Sequence, residues 1–410
     1  MGTFARYALN TGAAAALLAG CGALPLSSSK GQTAAQPPIT ASEYEVLHAF
    51  RDIKGGGVYP QARLVNVNGT LYGTTTSGGA YGHGTFYSIT TTRTEQVLYS
   101  FGKRPDAADP SAGLINVNGR LYGTAAGGGR YRGGTVYSIT TTGTEKVLYS
   151  FGGPGDGATP LAPLVNVKGT LYGTTYFGGS TGCGSRTCGT IFSVSTTGNE
   201  RLLHRFAGGS DGAEPSAGLL DVNGTLYGTT TGVFGGMGTV FSVTAAGKER
   251  VLHRFGGGSD GLVPDAGLVD VDGTLYGTTA NGGASNHGTV FSVTTSGRER
   301  VLYSFTGEPD GSGPEAKLID ANHTLYGTTT YGGTYSPRCD FGCGTIFSVT
   351  TTGAEEVVHT FAGAPADGSK PLADLIDVKG TLYGTTDYGG PRCNHRGGLS
   401  GCGTVFAFTP

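Results

Sequence analysis

The phrase "NGTLYGTT" at residues 68–75 returns with small changes six more times, its tyrosines standing at Tyr72, Tyr122, Tyr172, Tyr227, Tyr276, Tyr326 and Tyr383. The spacings are 50, 50, 55, 49, 50 and 57 residues. A repeat of this length is one supersecondary unit that cannot bury its apolar face alone, so stacked neighbours must supply the core. The chain is therefore a solenoid or a propeller. Its 410 residues also exceed the size at which a single core keeps growing.

Each period holds four short phrases rich in Val, Leu, Tyr, Phe and Thr, seen in the fifth as "AGLVDV", "TLYGTT", "GTVFSVT" and "RERVLYSF". All four read as strands. Between the first and second stand Asn68-Gly69, Asn118-Gly119, Asn223-Gly224 or Asp272-Gly273, pairs suited to two-residue hairpins with positive φ at both central positions. Asn322-His323 departs from this pattern. A glycine such as Gly143 or Gly297 serves the turn between the third and fourth phrases, and Arg93 replaces it in the first copy. The 77 glycines thus mark turns rather than low complexity.

The two ends of the repeat region complement each other. Residues 45–50, "EVLHAF", are a fourth phrase with no third before it, and residues 403–409 are a third phrase with no fourth after it. Pairing them completes a seventh blade and removes two open sheet edges. The expected fold is all-β: a closed seven-bladed propeller of four-stranded antiparallel blades over residues 44–410. Nothing points to assembly, so the propeller is expected to be monomeric.

"GTVFSVTTSGRERVLYSF" with its upstream "LYGTTANGG" resembles the GloVer tandem repeat of exported bacterial proteins, and the period and strand order are similar to kelch repeats. The resemblance covers all seven copies. It implies a propeller-like fold and surface display, and it brings no catalytic residues.

Residues 1–20 read as a signal peptide, with Arg6 ahead of an apolar run, and Leu18-Ala19-Gly20-Cys21 resembles a lipobox. Lipidation of Cys21 would anchor the chain to a membrane; an ordinary export signal, or a chance cysteine in a tail, is the alternative. Residues 21–43 otherwise read as a flexible tether rich in Ser, Pro, Ala and Thr. The expected location is extracytoplasmic and lipid-anchored, at the outer membrane or cell surface if there are two membranes.

The net charge of −2 leaves no electrostatic footprint for nucleic acid. No phosphate-binding loop, nucleophile elbow, HExxH or dinucleotide fingerprint occurs, and no cofactor is expected. Six cysteines form the pairs Cys183/Cys188, Cys339/Cys343 and Cys393/Cys402, in the three repeats whose loop before the third phrase is enlarged. In an exported chain they read as local disulfides. A metal site on Cys339, Cys343, Cys393, Cys402 and His395 is the competing reading, opposed by the isolated Cys183/Cys188 pair. The expectation is no metal.

The enlarged loops share one face with the segments that join successive blades. Candidate binding residues there are Tyr335, Arg338, Asp340, Asp387, Tyr388, Arg392, His395 and Arg396, weighed against solvated arginines and Asp-Gly turns. A second candidate is a central ring at the third position of "LVNV": Asn66, Asn116, Asn166, Asp221, Asp270, Asp320 and Asp377. These side chains would line the axis, or else satisfy backbone groups beside the tight turn. The leading expectation is a non-catalytic module that binds a protein or a surface polymer such as a glycan through the stapled loops. The alternatives are an enzyme acting on extracellular polysaccharide, with Asp340, Asp387 and His395 as its polar group, and a structural envelope protein.

Overall fold

The computed structural model describes residues 43–410 except 91–92, 103–104, 180–182, 184–186, 233–235 and 394–399. Seven four-stranded antiparallel sheets form the blades of the propeller. Blade 1 runs Val65–Val67, Thr70–Thr75, Thr85–Ile89 and Glu95–Ser100, and blades 2 to 6 repeat that order. In blade 7 the strands Ile376–Val378, Thr381–Thr386 and Thr404–Thr409 are joined by the strand Glu43–Ala49. Glu43 pairs with Thr409 and Ala49 with Thr404, so the two ends of the propeller close the ring as expected.

The recurring phrase is explained residue by residue. Its leucine is buried in every blade. Its glycine leaves room for the aromatic ring of the third strand: a Cβ on Gly173 would lie 2.7 Å from Phe192 Cζ. The first threonine of its closing pair reaches the next blade, as Thr124 Oγ1 donates to Ala162 O at 2.8 Å. The same bond closes the ring, from Thr385 Oγ1 to Ala62 O at 3.4 Å. The second threonine of that pair bonds the threonine that opens the third strand, as Thr175 does Thr190 at 2.7 Å.

Aromatic pairs fill the seams. The phenylalanine ending each fourth strand meets the third-strand ring of the next blade edge to face, from Phe50–Tyr87 at 5.1 Å through Phe151–Phe192 at 4.9 Å to Phe361–Phe406 at 5.3 Å. Such pairs contribute about 0.5–1.5 kcal/mol each beyond the area they bury.

The turn chemistry follows the sequence reading, exceptions included. Asn322 and His323 both take positive φ, 56° and 62°, and Arg93 takes φ 65° where other blades use glycine. The disulfides Cys183–Cys188, Cys339–Cys343 and Cys393–Cys402 are formed. Each closes the enlarged loop between the second and third strands of blades 3, 6 and 7.

Candidate functional site

The segment entering each blade has the pattern Pro-x-Ala-x-Leu, as in Pro60-Gln61-Ala62-Arg63-Leu64. The alanine and leucine are buried in all seven copies. The two x positions alternate to the opposite side and face the propeller axis. First strands of successive blades lie side by side around that axis, so these positions form rings.

The upper ring is Gln61, Ser111, Leu161, Ser216, Asp265, Glu315 and Leu372, and the lower is Arg63, Gly113, Pro163, Gly218, Gly267, Lys317 and Asp374. A cavity of about 390 Å³ is lined by both rings. A second, of about 620 Å³, lies above the upper ring and is lined also by Tyr176, Glu214, Thr231 and Gly236. The upper ring is thus the neck of a funnel. Its mouth opens on the face that carries the stapled loops, because Tyr176 and Thr231 follow second strands.

The rings are chemically lopsided. Blades 2 and 3 contribute Ser111, Gly113, Leu161 and Pro163, whereas blades 5, 6, 7 and 1 contribute every charged side chain of the neck. Burial pushes the Asp265 carboxyl up, against a hydrogen bond from Ser216 Oγ. Burial first, and the Asp265 charge second, raise Glu315 to about 7; Thr330 Oγ1 donates to Glu315 Oε2 at 3.2 Å. Burial raises Asp387 to about 6, although Gln61 Nε2 donates to its Oδ1 at 3.0 Å.

Below them, burial holds the Lys317 amine under its ordinary value, with Asp374 opposing and Arg63 reinforcing the shift. Asp374 Oδ1 accepts from the Lys317 backbone N–H at 2.9 Å. Neither Lys317 nor Arg63 forms an ion pair with a described residue, and Arg63 Nε is buried without a partner. Two cations over one carboxylate leave the floor short of negative charge. The neck above it is rich in hydrogen-bond acceptors.

The rim is held under strain. The residue before the proline in each segment has positive φ: Tyr59, Asp109, Thr159, Glu214, Val263, Gly313 and Lys370, between 54° and 65°. For β-branched Thr159 and Val263 this region is unfavourable. Each is pinned by backbone bonds, and in the stapled blades the acceptor is a disulfide cysteine: Tyr59 N–H to Cys402 O at 2.9 Å, Glu214 N–H to Cys188 O at 2.8 Å and Lys370 N–H to Cys343 O at 2.9 Å. The staples therefore brace the funnel rim. Glu214 also accepts from Tyr176 Oη at 2.8 Å.

The sequence-derived candidates divide. Asp387 is buried and joins the funnel group, and Tyr388 lies beside it with Lys370 Nζ 5.2 Å above its ring. Tyr335, 68% exposed, and exposed Arg338, Asp340 and Arg392 stand out in the stapled loops. Arg338 Nη1 donates to Ala364 O. His395 and Arg396 lie outside the described residues. In the LVNV ring, Asn66, Asn116, Asn166, Asp221 and Asp377 accept from the glycine N–H of their own turn, at 2.7–3.1 Å. Those oxygens are committed to the turn. Asp270 Oδ1 and Asp320 Oδ1 are buried without a hydrogen-bond partner.

The sequence reading missed the neck itself. Its signal was present: two positions vary freely between an invariant Pro, Ala and Leu in all seven copies.

The sequence model described as the Gloeobacter/Verrucomicrobia repeat matches residues 28–235 and 181–397. No curated protein matches the chain. Among solved structures, a luciferin-regenerating enzyme is 13% identical with a TM-score of 0.43, covering 90% of this chain and 95% of that one. A putative gluconolactonase is 12% identical with a TM-score of 0.41, covering 90% and 92%. A puromycin-hydrolyzing peptidase of Mycobacterium tuberculosis is 14% identical with a TM-score of 0.46, covering 81% of this chain and 49% of that one. Likeness at this level carries no argument about activity.

Proposed function

The chain belongs to the Gloeobacter/Verrucomicrobia repeat family, and we propose that its propeller is a non-catalytic recognition module that takes an acidic saccharide, as the end of a surface polymer, into the axial funnel. One observation carries this reading. On a scaffold that repeats itself seven times, charge is concentrated on one side of the neck and floor. The Arg63 and Lys317 cations suit a carboxylate or sulfate group. Asp265, Glu315, Gln61 and Asp387 suit sugar hydroxyls, which donate hydrogen bonds. Leu161, Pro163 and Leu372 offer apolar area for a pyranose face. The stapled loops would then frame the entrance rather than hold the ligand, with exposed Tyr335 at the periphery.

A lipid on Cys21 and the tether after it would hold the funnel near a membrane surface, where a cell-envelope or extracellular polymer is the accessible ligand. The polysaccharide-active alternative keeps one supporting observation, the Glu315 carboxyl raised to about 7 beside Asp265. Calorimetric titration of the full chain with hexuronate oligosaccharides, followed by product analysis, tests both. Binding with the probe recovered intact is expected. Depolymerisation would replace this reading with the enzymatic one, and absence of binding to any acidic saccharide would remove the proposed ligand class.

A further inference from the structure

A second feature lies away from the axis, at the seams between blades. The fourth strand of one blade, the connecting segment and the fourth strand of the next meet in a recurring trio. At the first seam it comprises Tyr99, Asp106 and Glu145: Tyr99 Oη donates to Asp106 Oδ2 at 2.9 Å, and the Ala107 N–H occupies Asp106 Oδ1 at 2.7 Å. The next residue's N–H occupies the same oxygen of Asp156, Asp310 and Asp367. There the trio is a latch and nothing more.

Two seams differ in two independent ways. Histidine takes the tyrosine's place at four seams, as His48, His204, His253 and His359; at the last, Asp367 keeps the Gly368 N–H and Tyr44 stands in place of the glutamate. The seams of blades 3/4 and 4/5 combine the histidine with a different connection. Among the described residues only these two connections form a 3-10 turn, Gly209–Asp211 and Gly258–Asp260. That turn sends the Gly212 and Gly261 N–H groups to Gly209 O and Gly258 O, away from the aspartate. In these two of the four histidine seams one aspartate oxygen is freed from the following residue's N–H, while Asp211 Oδ2 and Asp260 Oδ2 still accept from the Ala207 and Gly256 N–H groups. His204 Nε2 lies 3.3 Å from Asp211 Oδ2, and His253 Nε2 lies 3.2 Å from Asp260 Oδ1. Glu249 Oε1 and Glu299 Oε1 are buried without a hydrogen-bond partner, as are the equivalent oxygens of Glu145, Glu200 and Glu355, so the histidine and the turn are what distinguish these seams. In each seam one ligand atom from each of the three residues lies within 4.8 Å of the others, and these are the two such groups among the described residues.

We propose that these seams are two divalent-metal sites of the zinc class, on His204, Asp211 and Glu249 and on His253, Asp260 and Glu299. The edge of a tetrahedron with metal–ligand bonds of ~2.05 Å is about 3.3 Å, the separation the histidine and aspartate already show. An imidazole with two carboxylates favours zinc over calcium, which takes oxygen ligands alone. Edge-to-face contacts with Phe206 at 4.9 Å and Phe255 at 4.8 Å orient the imidazoles. The ion would replace the repulsion between neighbouring carboxylates and join two blades, leaving a coordination position for water. Arg254 Nε donates to Ser210 O at 2.9 Å, which holds a cation beside the Asp211 turn, whereas Ser304 holds the equivalent place in the other seam. The His253 site is therefore the tighter one.

His204→Tyr and His253→Tyr restore the residue that other seams use, so both variants should fold. Zinc titration of the metal-stripped full chain, read by calorimetry and by metal content after desalting, should give two equivalents that the double variant lacks. Each single variant should lose one, with the tighter lost in His253→Tyr. Zinc should also raise the melting temperature of the wild type and leave the double variant unmoved. Wild-type stoichiometry retained by the double variant would overturn the proposal, as would no zinc uptake by the wild type, or calcium binding equally well to both proteins.

Discussion

At the scale of single residues, the glycine of the recurring phrase and the glycine of the preceding turn do different work. A Cβ on Gly173 meets the Phe192 ring at 2.7 Å, whereas one on Gly169 meets nothing within 4 Å and is opposed only by a φ of 86°. Gly173→Ala should destabilise by about 1–3 kcal/mol through overpacking. Gly169→Ala should cost about 1 kcal/mol through backbone strain. Denaturant unfolding measures both, and equal losses would refute the distinction. The seven residues of the funnel rim show the same logic in reverse: topology, not sequence preference, places Thr159 and Val263 at positive φ. No local pattern announces that.

At the scale of the elements, the seams should make stability depend on pH. Burial and the adjacent aspartate raise Glu145 to about 8, and burial is the leading cause that raises Glu200, Glu249, Glu299 and Glu355 to about 7, from an ordinary 4.5. A raised carboxyl binds its proton more tightly in the folded chain. Its stabilisation is complete below about 4.5 and fades as pH rises through 7 to 8. His48, lowered to about 4 by burial and then Arg51, acts oppositely: its stabilisation is present above 6.5 and fades as pH falls through 4. Five carboxyls outweigh it. The metal-free melting temperature should fall between pH 5.5 and 8.5, and Glu145→Gln should flatten the slope. A melting temperature that rises over that range would contradict the account.

The blades were legible because their strands, turns and closing ends each leave a periodic mark in the sequence. The disulfides were legible because cysteines and loop insertions coincide. The neck was not, since Gln61, Glu315 and Lys317 sit in an irregular connecting segment. That segment faces the axis only once seven blades have closed around it. Asp387 was singled out, but its partners Gln61 and Lys370 lie far off in the chain or across the funnel rim.

At the scale of the whole molecule, closure rests on one strand from the far end of the chain. Removing residues 43–49 would expose the edge of Thr404–Thr409 and leave Tyr87 without Phe50's neighbouring strand. The truncated chain should self-associate through that edge, seen as oligomers in size-exclusion chromatography. A monomer as stable as the parent would show that the ring does not need it. The closed ring in turn creates the funnel, and the central claim is that the funnel, not the stapled loops, holds the ligand. The most direct test compares hexuronate-oligosaccharide affinity in the wild type, in Glu315→Gln with Lys317→Met, and in Tyr335→Ala with Arg338→Ala. Loss of charge-assisted hydrogen bonds of about 1.5–3 kcal/mol predicts at least a tenfold weakening in the funnel variant, with the loop variant within twofold of wild type. The reverse pattern, binding kept by the funnel variant and lost from the loop variant, would contradict it.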